Sequence, residues 1–242
     1  MISIIRGLAM ATMSECSSPD SAGTITVLAT HYRLPIKRLI DFCAWNDAAF
    51  ARHGISVTVV TDVYRPIEHE FDFPLRLFTF PVPLEIFSIT KCSNFGIRKI
   101  GTGVICKTDI DCLFSDAALD EIAVVQSGHS VFYNYRMAES STPIDLGRAK
   151  QWAAGSGTVA MHWDDWDAMG GYDQRLEGYC SDDADCVARA PQPCKGLGDL
   201  WHIAPEGGRF WNRETINPLN RRHCAEIRAA GRYQRTENWG VF

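Results

Sequence analysis

Residues 24–62 constrain the fold more than any other part of the chain. Residues 24–30 (TITVLAT) are apolar apart from their threonines and read as a buried strand. Residues 34–53 then carry apolar side chains at helical spacing (Leu34, Leu39, Ile40, Phe42, Cys43, Trp45, Phe50), with Gly54 as the stop. Residues 55–61 (ISVTVVT) form a second strand that ends at Asp62. A strand, a helix and a strand joined by short returns imply parallel pairing and a right-handed crossover.

The same alternation continues. Residues 75–80 make a short third strand before the Pro81-Val82-Pro83 break, and residues 88–100 read as a helix. Residues 104–108 are the central strand, followed by a short helix over 115–121 with Ser115 as its cap. Later strands are expected at 131–135 and 157–161. A helical turn over 163–169 leads into Gly170-Gly171-Tyr172-Asp173, and a polar helix follows over 182–189. The last sixth of the chain is rich in Trp, Asn, Arg and Pro and has little periodicity. There is no internal repeat and no linker to a second domain. The expectation is a single α/β domain over residues 24–242, with a mixed, mostly parallel central sheet flanked by helices. It is read as two halves, residues 24–115 and 116–242. Residues 1–23, which include a Ser-, Pro- and Asp-containing stretch, read as a flexible leader.

Composition narrows the partners. The chain has 242 residues, 46% hydrophobic and 22% charged, enough for a sizeable core. Its formal net charge of −5 gives no overall pull toward nucleic acid or an acidic membrane. Nine cysteines, odd in number and never spaced as a CxxC pair, read as reduced thiols, which suits a cytoplasmic setting better than secretion. No stretch approaches the roughly 20 apolar residues of a membrane-spanning helix.

In open α/β sheets, ligands bind beyond the carboxyl ends of the strands. Here those ends are Thr30-His31-Tyr32, Asp62 and Asp109-x-Asp111, three polar ends that would converge on one crevice. No GxGxxG follows the first strand, so the usual dinucleotide site is unsupported. Two carboxylates one residue apart can instead present oxygens to a hard divalent cation and to a sugar hydroxyl.

Four stretches, in order along most of residues 24–220, resemble the nucleotide-sugar-dependent glycosyltransferases of the GT-A fold. They are Asn94-Phe95-Gly96-Ile97-Arg98; Asp109-Ile110-Asp111, similar to the Asp-x-Asp motif; Gly170-Gly171-Tyr172-Asp173 followed by Asp182-Asp183-Ala184-Asp185; and Leu200-Trp201-His202 followed by Asn217-Pro218. The Gly-Gly-Tyr-Asp segment with its acidic helix start is galactosyltransferase-like. The resemblance implies a GT-A, Rossmann-like single domain and a metal-dependent, inverting hexosyltransferase that uses a UDP-sugar. It implies that Asp111 binds the metal, that Asp109 contacts the ribose or bound water beside it, and that His202 is the distant third ligand. Imidazole favours Mn2+, with Mg2+ as its substitute.

The base is expected among Asp182, Asp183 and Asp185, and the resemblance aligns Asp183 with it. Asp182 stands where that family usually has glutamate, so its acceptor contacts are shortened. For the nucleotide, Asp62 would accept from a uracil N3–H, Thr30 or Tyr32 would frame the base, and Arg98 with Asn94 would reach the diphosphate or support Asp109. Gly171 would allow close approach beside the donor sugar. One of Trp163, Trp166 and Tyr172 would stack on the acceptor, a glycan or small hydroxylated molecule. Arg221 and Arg222 read as an exposed basic pair. Two other readings are a transferase acting on a modified nucleic-acid base, which the net charge disfavours, and a non-catalytic sugar-nucleotide-binding module.

Overall fold

The computed structural model describes residues 24–32, 34–62, 67–82, 88–139, 144–151, 157–176, 182–204 and 239–242, with Arg222 and Glu226. The expected leader, residues 1–23, lies outside the described residues, as do Arg221 and residues 217–220. In chain order the elements are β1 (Ile25–His31), α1 (Ile36–Arg52), β2 (Ser56–Thr61), β3 (Leu75–Thr79), α2 (Ile89–Ile100), β4 (Val104–Thr108), β5 (Cys112–Phe114) and α3 (Asp116–Ala123). They continue with β6 (Ser130–Tyr133), β7 (Arg136–Glu139), β8 (Lys150–Gln151), β9 (Thr158–His162), α4 (Trp163–Met169), α5 (Asp182–Arg189), β10 (Pro193–Lys195) and β11 (Leu200–Ala204).

The main sheet has seven strands in the order β10-β6-β9-β4-β1-β2-β3, which puts β4 at its centre. Strands β1, β2, β3 and β4 run parallel, while β9 is antiparallel to both β4 and β6, giving the mixed, mostly parallel sheet expected. Successive strand residues point to opposite faces. Val27, Ala29, Val57, Val59 and Cys106 therefore join the core beneath α1 and α3. Leu28, Val60, Ile105, Val159 and Met161 join a second core beneath α2 and α4.

Helix α1 buries one stripe, Leu39, Phe42, Cys43, Asn46 and Phe50, and Gly54 ends it at a φ of 62°. Phe50 meets Phe42, Phe73 and Phe114 edge-on, with ring centroids 5.5–6.2 Å apart. Helix α2 starts where the Ser88 hydroxyl accepts from the Lys91 N–H and ends at Gly101 in the left-handed region. It lies so close to the sheet that a Cβ at Gly96 would collide with Leu28 and Val60. Ser115 caps α3 as expected, accepting from Ala118 N–H at 3.1 Å.

A second sheet, in the order β5-β11-β7-β8, is absent from the sequence reading. Its strands are two to five residues long and mix charged, aromatic and apolar residues, so they carry no clear alternation. Asn46 fastens it to α1: its amide donates to the Cys112 carbonyl at 2.9 Å and accepts from Phe114 N–H at 3.0 Å. This small sheet brings the distal part of the chain against the end of β4. Among the described residues, no helix is long and apolar enough to cross a membrane.

Candidate active site

Because β1, β2 and β4 are parallel neighbours, Thr30, Tyr32, Asp62 and Asp109 fall at one edge of the sheet. The register pairs Ala29 with Thr108 and Thr30 with Val60, so Thr30 lies level with the β4 exit. The expected convergence of polar strand ends is therefore present.

At that edge the chain turns from β4 into β5, and the turn presents Asp109 and Asp111. Strand β11 pairs antiparallel with β5, placing His202 opposite Cys112, and Ile203 N–H donates to the Asp111 carbonyl at 2.8 Å. His202 Nε2 then lies 3.0 Å from Asp111 Oδ1 and 3.9 Å from Asp109 Oδ2. One ligand atom from each of the three residues lies within 4.8 Å of the others. Two hard carboxylate donors and one imidazole, carried by two different segments, suit a Mn2+-sized cation. Burial opposes the charged imidazole of His202, but Asp111 and then Asp109 outweigh it and raise its pKa above the ordinary value.

Behind Asp109 stands a buried polar group that the sequence reading did not single out. The Tyr135 hydroxyl donates to Asp109 Oδ2 at 3.2 Å and lies 3.2 Å from Thr158 Oγ1, which in turn is 2.7 Å from Thr108 Oγ1. Burial, then the Asp109 charge, push the Tyr135 phenol well above its usual range, so it stays a neutral donor. Gly157 makes room for this contact, since a Cβ there would meet the Tyr135 hydroxyl and the Asp109 carboxylate. Gly157→Ala is expected to displace Asp109 and weaken Mn2+ binding roughly tenfold, as loss of outer-shell support does. Calorimetric titration checks this, and an unchanged affinity would count against it.

On the other side of Asp109 is Lys107, wholly buried in β4. Its ammonium lies 3.4 Å from Asp109 Oδ1, 3.4 Å from Asp183 Oδ1 and 3.1 Å from the Gly157 carbonyl. Burial lowers its pKa, but Asp109, Asp183 and Asp182 outweigh that and hold it charged. A lysine inside the apolar run Ile105-Cys106-Lys107 was the signal available in the sequence, because such a charge is almost never buried unpaired.

Helix α5 opens with Asp182 and Asp183. The Asp183 side chain is 25% exposed to the crevice, whereas Asp182 is buried. Burial and then the Asp183 charge push Asp182 up to about 7. Asp183 is also raised by burial, with Lys107 working in the opposite direction. Further along α5, Asp185 pairs with Arg189 at 2.8 Å, and Arg189 donates to the Gly171 carbonyl at 2.9 Å. The acidic helix start and the Gly-Gly-Tyr-Asp turn are thus tied together.

The raised Asp182 pKa has a definite sign. The folded state holds this proton more tightly, so stability falls as pH rises from about 4, where the unfolded carboxyl ionises, through about 7. Asp182→Asn removes the ionisation while keeping the shape. It is expected to raise Tm at pH 8 by on the order of several degrees and to change it little at pH 4. Scanning calorimetry at both pH values reads the difference.

The other expected contacts lie elsewhere. Asn94 accepts from Tyr172 N–H at 2.7 Å and donates to the Tyr172 carbonyl at 2.9 Å, so it braces the glycine turn. Arg98 pairs with Asp167 at 3.2 Å and lies over the Trp239 ring at 5.1 Å. It sits near the start of β4, away from the Asp109 end, because α2 runs back along the sheet. Gly170 and Gly171 do adopt positive φ, 76° and 65°, but the space beside Gly171 is filled by Asn94 and Trp239. Trp166 is fully buried and donates to the Ile105 carbonyl at 3.1 Å. Tyr172 is buried with its ring 5.6 Å from that of Trp166 and 5.7 Å from the Lys107 ammonium. Trp163 is half-buried, with its ring 6.0 Å from that of Trp239. Arg222 pairs with Glu226 on the surface at 2.7 Å. Of the nine cysteines, the six described are free thiols, and burial pushes Cys43, Cys92 and Cys186 up to about 12.

No protein-family model matches the sequence, and no curated protein matches it either. Solved structures do match. The chain is similar to the catalytic domain of Drosophila β1,4-galactosyltransferase 7 in complex with xylobiose, at 14% identity and TM-score 0.57 over 89% of this chain and 82% of that one. It is similar to S. aureus TarS in complex with UDP-GlcNAc, at 12% identity and TM-score 0.61 over 86% of this chain and 66% of that one. It is also similar to a mannosyltransferase from Pyrobaculum calidifontis in complex with GDP-Man and Mn2+, at 14% identity and TM-score 0.50, covering 78% and 61%. At such identities the likeness is one of fold. The chain has the GT-A fold of these glycosyltransferases, as its motifs implied.

Proposed function

We propose that the protein is a metal-dependent glycosyltransferase that moves a sugar from a UDP-sugar to a hydroxyl acceptor with inversion. One observation carries this reading. A three-residue cation site and a separate, partly exposed carboxylate, Asp183, flank a single buried ammonium at the strand-end edge. The Drosophila galactosyltransferase of the same fold is known with manganese, UDP-Gal and xylobiose, which supports the choice of metal and donor.

Asp109, Asp111 and His202 would hold the Mn2+. The ion would supply Lewis-acid neutralisation of the charge on the leaving diphosphate. Thr30 and Tyr32, with Asp62 on the next strand, would receive the nucleoside. Asp183 takes the proton of the acceptor hydroxyl as that oxygen attacks the anomeric carbon. The bond from the anomeric carbon to the diphosphate oxygen breaks as the new one forms, and its electron pair leaves with the nucleoside diphosphate. Attack from the opposite face inverts the centre. Trp163 would not serve the acceptor, because its backbone N–H donates to the Gly103 carbonyl at the start of β4, the edge away from Asp109 and Asp183. Residues 24–115 would form the donor half and 116–242 the acceptor half.

The test is a screen of UDP- and GDP-sugars with Mn2+ against hydroxylated acceptors, following nucleoside diphosphate release and the product's anomeric configuration by NMR. The expected result is Mn2+-dependent release of UDP and an inverted product. Tight Mn2+–UDP binding with no transfer to any acceptor would instead make the chain a sugar-nucleotide-binding module.

A further inference from the structure

We propose that Lys107 is the positioning residue of this site, a buried ammonium that fixes the Asp183 carboxylate relative to the metal end of Asp109. The inference rests on the transferase reading for its kinetic consequence, but its structural content stands on geometry alone.

Three features support it. First, the ammonium has three donors and three acceptors in reach: Asp109 Oδ1, Asp183 Oδ1 and the Gly157 carbonyl, which come from the β4 exit, the start of α5 and the entry to β9. These segments are separated by 50 residues or more from Lys107 except for Asp109, and among the described residues no other side chain pairs with Asp183. Second, the fourth side is closed by the Tyr172 ring, which belongs to the turn braced by Asn94 and Arg189. The ammonium therefore cannot reach a substrate, and its action must pass through the carboxylates it holds. Third, an apolar strand does not need a charge at this position. A buried ion pair replaced whole by apolar residues often costs nothing, whereas losing Lys107 alone leaves two carboxylates unpaired, so the lysine is there for the carboxylates it holds and not to fill the strand. In its absence Asp109 is still held by the Tyr135 hydroxyl, but Asp183 would face it as a like charge with no cation to hold it.

The test compares the wild type with Lys107→Met, Asp183→Asn and the double variant, measuring kcat, donor KM and Mn2+ affinity in the presence of UDP. Lys107→Met is expected to lower kcat by about 100-fold, the scale of a misplaced general base, with KM and Mn2+ affinity within about threefold. In the Asp183→Asn background the same substitution should cost less than about threefold more, because residues acting as one unit are not additive. Full multiplication of the two losses, an unchanged kcat in Lys107→Met, or a loss of Mn2+ affinity in step with kcat would each overturn the proposal. If Lys107→Met does not fold, Lys107→Gln takes its place, retaining a donor without the charge. Urea midpoints across the same cycle need no turnover. A midpoint loss from Lys107→Met that shrinks in the Asp183→Asn background supports the pairing even if no acceptor is found, and equal losses in both backgrounds reject it.

Discussion

Asp111→Ala is expected to weaken Mn2+ binding by about 100-fold or more and to remove Mn2+-dependent transfer, while leaving the apo fold in place. Asp111 offers the carboxylate nearest His202, at 3.0 Å, with Asp111 partly exposed and His202 buried behind it. The backbone does not depend on this side chain, because the turn is held by Ile203 N–H on the Asp111 carbonyl and Cys112 N–H on the Asp109 carbonyl. Removing one of three protein ligands leaves Asp109 and His202 too few to hold the cation against water. His202 also loses its main charge partner, so its proton is bound less tightly in the variant. Titration calorimetry with Mn2+, alone and with UDP, separates the effects. Equal Mn2+ affinity in the variant and the wild type would remove Asp111 from the ligand set.

How much of this was legible depends on how far apart in the chain the cooperating residues lie. The β1-α1-β2 unit and the β4 exit were readable because their pattern is local: apolar runs, a helical stripe and a glycine stop. The Asp109–Asp111 pair was readable for the same reason. His202 entered only through the motif resemblance. Its physical cause is β11, a five-residue strand with Trp and His at its centre that pairs with the three residues of β5 nearly ninety positions earlier. Nothing local in either strand announces that pairing. Tyr135 and Gly157 escaped notice similarly, since their contact forms only once β9 is laid antiparallel between β4 and β6. For Arg98, chain direction argues against the crevice. This residue lies six residues before Val104, where β4 begins, and a helix returning to the start of a parallel strand carries its last turn to the far edge. Lys107 is hidden for another reason: the apolar average of its strand masks the one charged residue that breaks it.

Asp183→Asn is the other large effect expected, a loss of kcat on the order of 100- to 10,000-fold with Mn2+ and donor affinity unchanged. The amide keeps the side chain's shape, and its oxygen can still accept from Lys107, but it has no lone pair basic enough to take the acceptor's proton. Asp182 and Asp183 are adjacent acids at one helix start, and their surroundings separate them. Asp182 is buried and, with its pKa up to about 7, largely keeps its proton at mildly acidic pH. Asp183 is raised too, by burial, with the Lys107 ammonium at 3.4 Å working against that rise, but a quarter of its side chain is open. A base must be reachable by the acceptor hydroxyl, and of the two only Asp183 is partly exposed. Steady-state kinetics on Asp183→Asn, with Asp182→Asn alongside, decide the assignment. Loss of kcat in the Asp183 variant, with Asp182→Asn retaining most of its activity at neutral pH, is the expected pattern. The reverse pattern would move the base one residue back along the helix and leave Lys107 holding a spectator.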